Sequence, residues 1–99
     1  MEQFSETDNQ NDSEWGIYKG KMNWDKAMEE ANKLGMRLPT REELLDAYQK
    51  GKLKSWLDNG YLFWTSDEFS SFYAYGLYVS SGHSYYYNKT NEWHARFVK

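Results

Sequence analysis

Ninety-nine residues make one small domain, and the absence of cysteine excludes disulfides, thiol catalysis and cysteine-based metal sites. The net charge of −3 is unevenly placed: Glu2, Glu6, Asp8, Asp12 and Glu14 put five acids and no base in residues 1–14, leaving ten acids against twelve bases, or +2, in the rest. A nearly neutral body argues against both a DNA mimic and a strong nucleic-acid binder, and no run nears the roughly 20 apolar residues that would insert in a membrane.

Residues 1–14 hold only Phe4 among Glu, Gln, Ser, Asp and Asn, too little apolar surface to offset the entropy of ordering, so they are expected to be a disordered acidic tail before a domain over 15–99. They show neither the basic start nor the apolar block of a secretory leader. The chain as it stands is therefore expected in the cytoplasm, or on a cell or virion surface if it belongs to a larger exported assembly.

Residues 15–18 read as a strand, with Lys19, Gly20 and Lys21 as a turn. Asn23 is a good N-cap, and Trp24, Ala27, Met28, Ala31 and Leu34 recur at helical spacing as one apolar stripe. Gly35 can stop that helix in the left-handed conformation, residues 36–38 can run extended, and Pro39 holds Leu38 so. Thr40 and Glu43 form a capping box that starts a second helix, with Leu44, Leu45, Ala47 and Tyr48 turned to the core and Gly51 closing it.

Lys50, Lys52 and Lys54 decorate a solvated loop before Trp56 and the turn signal Asp58, Asn59, Gly60. Strands are then predicted at 61–66, 73–79, 83–87 and 93–98, an antiparallel meander. The nineteen aromatic residues can build a core that the modest aliphatic content could not.

The order Leu-Gly-x-Arg-Leu-Pro-Thr-x-x-Glu-Leu over 34–44, then Phe63-Trp64-Thr65-Ser66, a Ser81-Gly82 turn, the aromatic run 85–87, an Asn88-Lys89 turn and a closing Ala95-Arg96-Phe97-Val98, resembles bacterial C-type lectin-like domains. The particular likeness is to the uncharacterised family at the C terminus of collagen-like surface proteins. The resemblance implies an α+β, C-type lectin-like fold, with two helices packed on a small twisted antiparallel sheet whose first and last strands pair. It does not imply one activity, because a shared fold hosts many.

Catalysis lacks an inventory. His83 and His94 fall on different predicted strands without a Ser-His-Asp pattern or metal-ligand spacing. The segment 37–43 is also similar to formylglycine-generating oxidases of the same superfamily, but those depend on cysteines. The calcium-binding loop and strand motifs of sugar-binding relatives are missing too: Pro39 is the only proline, and Asn91-Glu92-Trp93 is a scrambled echo of the strand motif. No cofactor is expected.

What remains is a binding surface in the last third, rich in the Tyr, Ser, Gly and Asn that serve paratopes. Alternation sends Tyr73, Tyr75, Leu77 and Val79 inward, and with Tyr85 and Tyr87 in the core, Tyr86 faces out beside Tyr78 and His94. The expected ligand-binding residues are Phe72, Tyr78, His83, Tyr86, Asn88, Trp93 and His94, with Trp56 at the rim. Arg96 is expected to pair with a helix carboxylate, and the Asn88-Lys89-Thr90 sequon reads as a turn.

The expectation is a non-catalytic module that binds a protein partner. A calcium-independent glycan site stacking a sugar on Trp56 or Trp93 is the main alternative. A small phage or mobile-element inhibitor of an intracellular enzyme is the other.

Overall fold

A computed structural model describes residues 15–99, so the expected acidic tail lies outside the described residues. The chain runs β1 (Ile17–Met22), α1 (Trp24–Lys33), α2 (Arg41–Gln49), a 3-10 helix (Lys54–Asp58), β2 (Leu62–Glu68), β3 (Tyr73–Tyr78), β4 (Ser84–Asn88) and β5 (Trp93–Phe97). This is an α+β domain whose five strands form one mixed sheet in the order β1-β5-β2-β3-β4.

Local chemistry sets the helix boundaries. Asn23 Oδ1 accepts from the Lys26 N–H at 2.8 Å. At the second helix Thr40 Oγ1 accepts from the Glu43 N–H while Glu43 Oε1 accepts from the Thr40 N–H, completing the capping box. Both helices end on a left-handed glycine, Gly35 at φ 69° and Gly51 at φ 74°. In each, the residue after the glycine donates back into the last turn, Met36 N–H to Ala31 O and Lys52 N–H to Ala47 O, both at 2.9 Å.

The first strand corrects its sequence reading. The expected turn at 19–21 is strand instead, because Gly20, at φ 95°, carries a bulge that shifts the pairing with β5 while the strand continues to Met22. The expected meander holds only for β2, β3 and β4. β5 returns across the sheet to lie between β1 and β2, antiparallel to the first and parallel to the second at Phe63 and His94. A central position buries Ala95 and Phe97 against one face and half-buries His94 and Arg96 against Phe63 and Trp56 on the other, where an edge would leave them in water.

The sheet therefore buries both faces, where one was expected. Phe63 and Trp64 are adjacent, fully buried and opposite in direction. Trp64 packs with Trp24, Ala27 and Ala31 of α1 and with Leu38, Ala74, Ala95 and Phe97. Phe63 packs with Leu44 and Ala47 of α2 and with Leu53, Trp56, Leu77 and Val79. The two helices thus lie on opposite faces.

Three indole N–H groups tie distant segments together: Trp24 to Thr65 O at 2.8 Å, Trp64 to Met22 O at 2.9 Å and Trp56 to Trp15 O at 3.1 Å. Each satisfies a polar atom that would otherwise sit unpaired beside the core, a net stabilisation of about 1 kcal/mol apiece. Residues 36–38 run extended as expected, bridged by the reciprocal hydrogen bonds of Arg37 and Val98. No helix of the described residues is long and apolar enough to cross a membrane.

Candidate functional site

The turn between β2 and β3 and the pairing of β3 with β4 create an aromatic cluster on the α2 face. β2 bulges between Trp64 and Glu68, and Thr65 Oγ1 fills the gap by donating to Tyr75 O at 2.8 Å and accepting from the Asp67 N–H at 3.2 Å. Past the bulge, the N–H groups of Phe69 and Ser70 both reach Tyr73 O, which folds the Phe69 ring back over the sheet. It lands on Tyr86. The two rings stack with centroids 4.0 Å apart and planes 3° apart.

Tyr73 and Tyr75 meet Tyr86 edge-on at 5.7 and 6.1 Å, because Tyr75 and Tyr86 are register partners and partners share a face. Phe69 and Tyr86 remain 50% exposed, Tyr73 37% and the nearby turn residue Phe72 70%. That is a large apolar area for a small domain to leave in water.

A groove of about 440 Å³ adjoins this cluster, running between the start of α2 and β4 and lined by Thr40, Arg41, Glu42, Leu45, Asp67 and Ser84 among others. The Arg41 guanidinium lies 3.8 Å over the Tyr75 ring and donates to Ser84 Oγ at 3.2 Å. Among the described residues no carboxylate pairs with it, whereas Arg37 is held by Glu43 at 2.7 and 2.9 Å. That pairing raises the Arg37 pKa and, with the Thr40 hydrogen bonds, lowers that of Glu43 against the opposing effect of burial. Glu43 is occupied and Arg41 is available.

The residues expected from sequence do not form one surface. Tyr86 and Phe72 are exposed near the cluster, and Asn88 is exposed but turned back, its Oδ1 accepting from the Thr90 N–H and hydroxyl. Tyr78 lies on the opposite face, where Tyr87 donates to its hydroxyl at 3.1 Å and Tyr85 meets it edge-on. Burial, followed by that hydrogen bond, raises the Tyr87 pKa. Exposed His83 stacks on Tyr85 and sits 3.1 Å from Ser81 Oγ. Trp93 is half-buried against Tyr87 and the α1 core.

His94 is a packing residue. Its Nδ1 is 2.8 Å from the Tyr18 hydroxyl, its ring lies between Tyr18 and Phe63, and Gly60 leaves the room that its far edge needs. Burial first, then the Lys21 ammonium, lowers its pKa, which favours the neutral ring.

Trp56 corrects the expected rim contact outright. It is fully buried, stacked on Trp15 at 5.4 Å and packed on Phe63 at 5.0 Å. Among the described residues Arg96 makes no ion pair with a helix carboxylate; it donates to Gly16 O at 3.0 Å and Asn59 Oδ1 at 2.9 Å, and burial lowers its pKa against the attraction of Tyr18 and Asp58.

Phe69 lies in the surface segment expected from sequence without being among its selected contacts, Tyr73 and Tyr75 were expected to turn inward, and Arg41 was not considered. The signal that could have found them is the register: placing Tyr75 opposite Tyr86 puts both on one face, with Arg41 reaching from α2. Neither a scan against protein-family models nor a search of curated proteins gives a match to this chain.

Proposed function

We propose that this chain is a non-catalytic binding module of the C-type lectin-like class that holds a protein partner on the aromatic face of β3 and β4. The observation that carries the reading is the stacked, half-exposed pair Phe69 and Tyr86 with Tyr73, Tyr75 and Arg41 around it. Rigid amphipathic rings give contact area at little entropic cost, and Tyr with Arg are the side chains that most often anchor protein interfaces. The pairing of β1 with β5 and the two capped helices support the lectin-like assignment. With Trp56 buried and Trp93 half-buried, the indoles named for sugar stacking support a glycan less well.

The test is capture from lysate of the source cells by the wild-type chain and by a folded Phe69→Ser, Tyr86→Ser variant. One stoichiometric protein held by wild type and lost by the variant supports the reading. Equal capture by both, or none by either, removes it from this face.

A further inference from the structure

The two edges of the sheet differ in how they are protected. β1 carries a bulge between Tyr18 and Gly20 and the charges of Lys19 and Lys21, which are the usual defences of an open edge. β4 has none of these. Its sequence, Ser-Tyr-Tyr-Tyr-Asn, is uncharged and without proline, and it pairs with β3 through five consecutive register partners without a shift.

The backbone of β4 is half used. Tyr78 N–H donates to His83 O at 2.8 Å and Lys89 N–H donates to Phe72 O at 2.9 Å, so residues 83 and 89 face β3. Antiparallel alternation turns 85 and 87 the same way and aims the N–H groups of Ser84, Tyr86 and Asn88, with the carbonyls of Ser84 and Tyr86, away from the sheet. Among the described residues no strand pairs with that side.

We propose that β4 pairs with β4 of a second copy of the chain, antiparallel and centred on Tyr86, so that the two sheets become one. The strand is complementary to itself. A two-fold axis at Tyr86 sets Ser84 opposite Asn88 of the other copy and Tyr85 opposite its Tyr87, with no charge anywhere in the match, and each contact occurs twice by symmetry.

Side chains fit the same register. On the α2 face the two Tyr86 rings become neighbours, each already backed by Phe69. On the other face half-buried Tyr87 gains the exposed Tyr85 ring of the other copy. Asn88 is no obstacle, since its side chain is folded into the turn with Thr90. One five-residue edge is smaller than a standard stable interface, so the association is weak. This pairing does not rest on the partner-binding reading, and it would set two aromatic clusters side by side.

The experiment is amide hydrogen exchange by NMR together with sedimentation equilibrium, on the full chain, from micromolar to millimolar concentration. The expected result is a mass that rises towards a dimer while the amides of Tyr86 and Asn88, whose acceptors across the axis are the free carbonyls of Tyr86 and Ser84, become protected. Those of Tyr85 and Tyr87 are protected throughout by β3. Tyr86→Pro removes an outward N–H without touching the β3 ladder, and Tyr86→Lys keeps the backbone but opposes two charges across the axis; each abolishes the dimer.

A monomer at every concentration overturns the proposal and leaves the edge to a strand of a different protein. So does a dimer that survives both folded variants, or whose protection appears elsewhere.

Discussion

Phe69 and Tyr86, seventeen positions apart in sequence, lie ring on ring at 4.0 Å because the β2–β3 turn folds back over the strand that the β3–β4 turn has aligned. Two turns thus meet in one contact, and the contact is half in water. A double-mutant cycle with Phe69→Ala and Tyr86→Ala is expected to give a coupling of about 0.5–1.5 kcal/mol, the range for aromatic pairs. Urea unfolding of the four proteins measures it, and a coupling indistinguishable from zero would show that the stack is not maintained in solution.

Gly82 stands at φ 80° with Tyr48 beneath it, and a methyl group there would lie 2.8 Å from the ring. Gly20, at φ 95°, has open space around it. Gly82→Ala therefore meets both backbone strain and a clash, whereas Gly20→Ala meets strain alone. We expect Gly82→Ala to cost about 2–4 kcal/mol and Gly20→Ala about 1–2 kcal/mol, read from denaturant midpoints.

Lys89 is nearly buried, its ammonium 4.5 Å over the Trp24 ring and paired with half-exposed Glu68. Removing the carboxylate leaves a desolvated cation without its partner, while removing the charge leaves a methylene stem that still covers the indole. Glu68→Gln is expected to destabilise by about 1–2 kcal/mol and Lys89→Met by less, measured by thermal and urea unfolding. The reverse order would show that the ion pair contributes more than the packing of the stem.

His94 gives the domain a pH dependence of definite sign. Its folded pKa lies below the ordinary 6.5, so between the two values the unfolded chain binds the proton more readily. The stability is complete above about pH 6.5 and declines as the pH falls from there through the lowered value. His94→Asn should flatten the slope in that window, and Lys21→Gln should reduce it. An unchanged slope in His94→Asn would assign the effect to another group.

What the sequence showed and what it hid divide by range. The starts and stops of both helices were legible because Asn23, Thr40, Glu43, Gly35 and Gly51 act on backbone groups within a few residues. The return of β5 to the centre of the sheet was not legible, since nothing within residues 93–97 says which strands will flank them. Trp56 was misread as surface because its stacking partner Trp15 comes from a distant segment and its contact with Phe63 depends on how the sheet folds over the 3-10 helix. Alternation set Tyr86 on the face opposite to Tyr85 and Tyr87, but Tyr85 is 55% exposed and does not fill the core as expected, and only the register with β3 decides that Tyr86 shares a face with Tyr75 and not with Tyr78.

The claim that a partner protein meets the β3–β4 aromatic face is tested most directly by site-specific photo-cross-linking in the source cells. A photoreactive phenylalanine analogue would replace Phe72 or Tyr86 and, as a control, Glu29 on the solvent side of α1. The account predicts one foreign protein cross-linked from positions 72 and 86 and not from 29, distinguishable by mass from an adduct between two copies of the chain. Adducts from position 29 alone, or no foreign protein from any position, would contradict it.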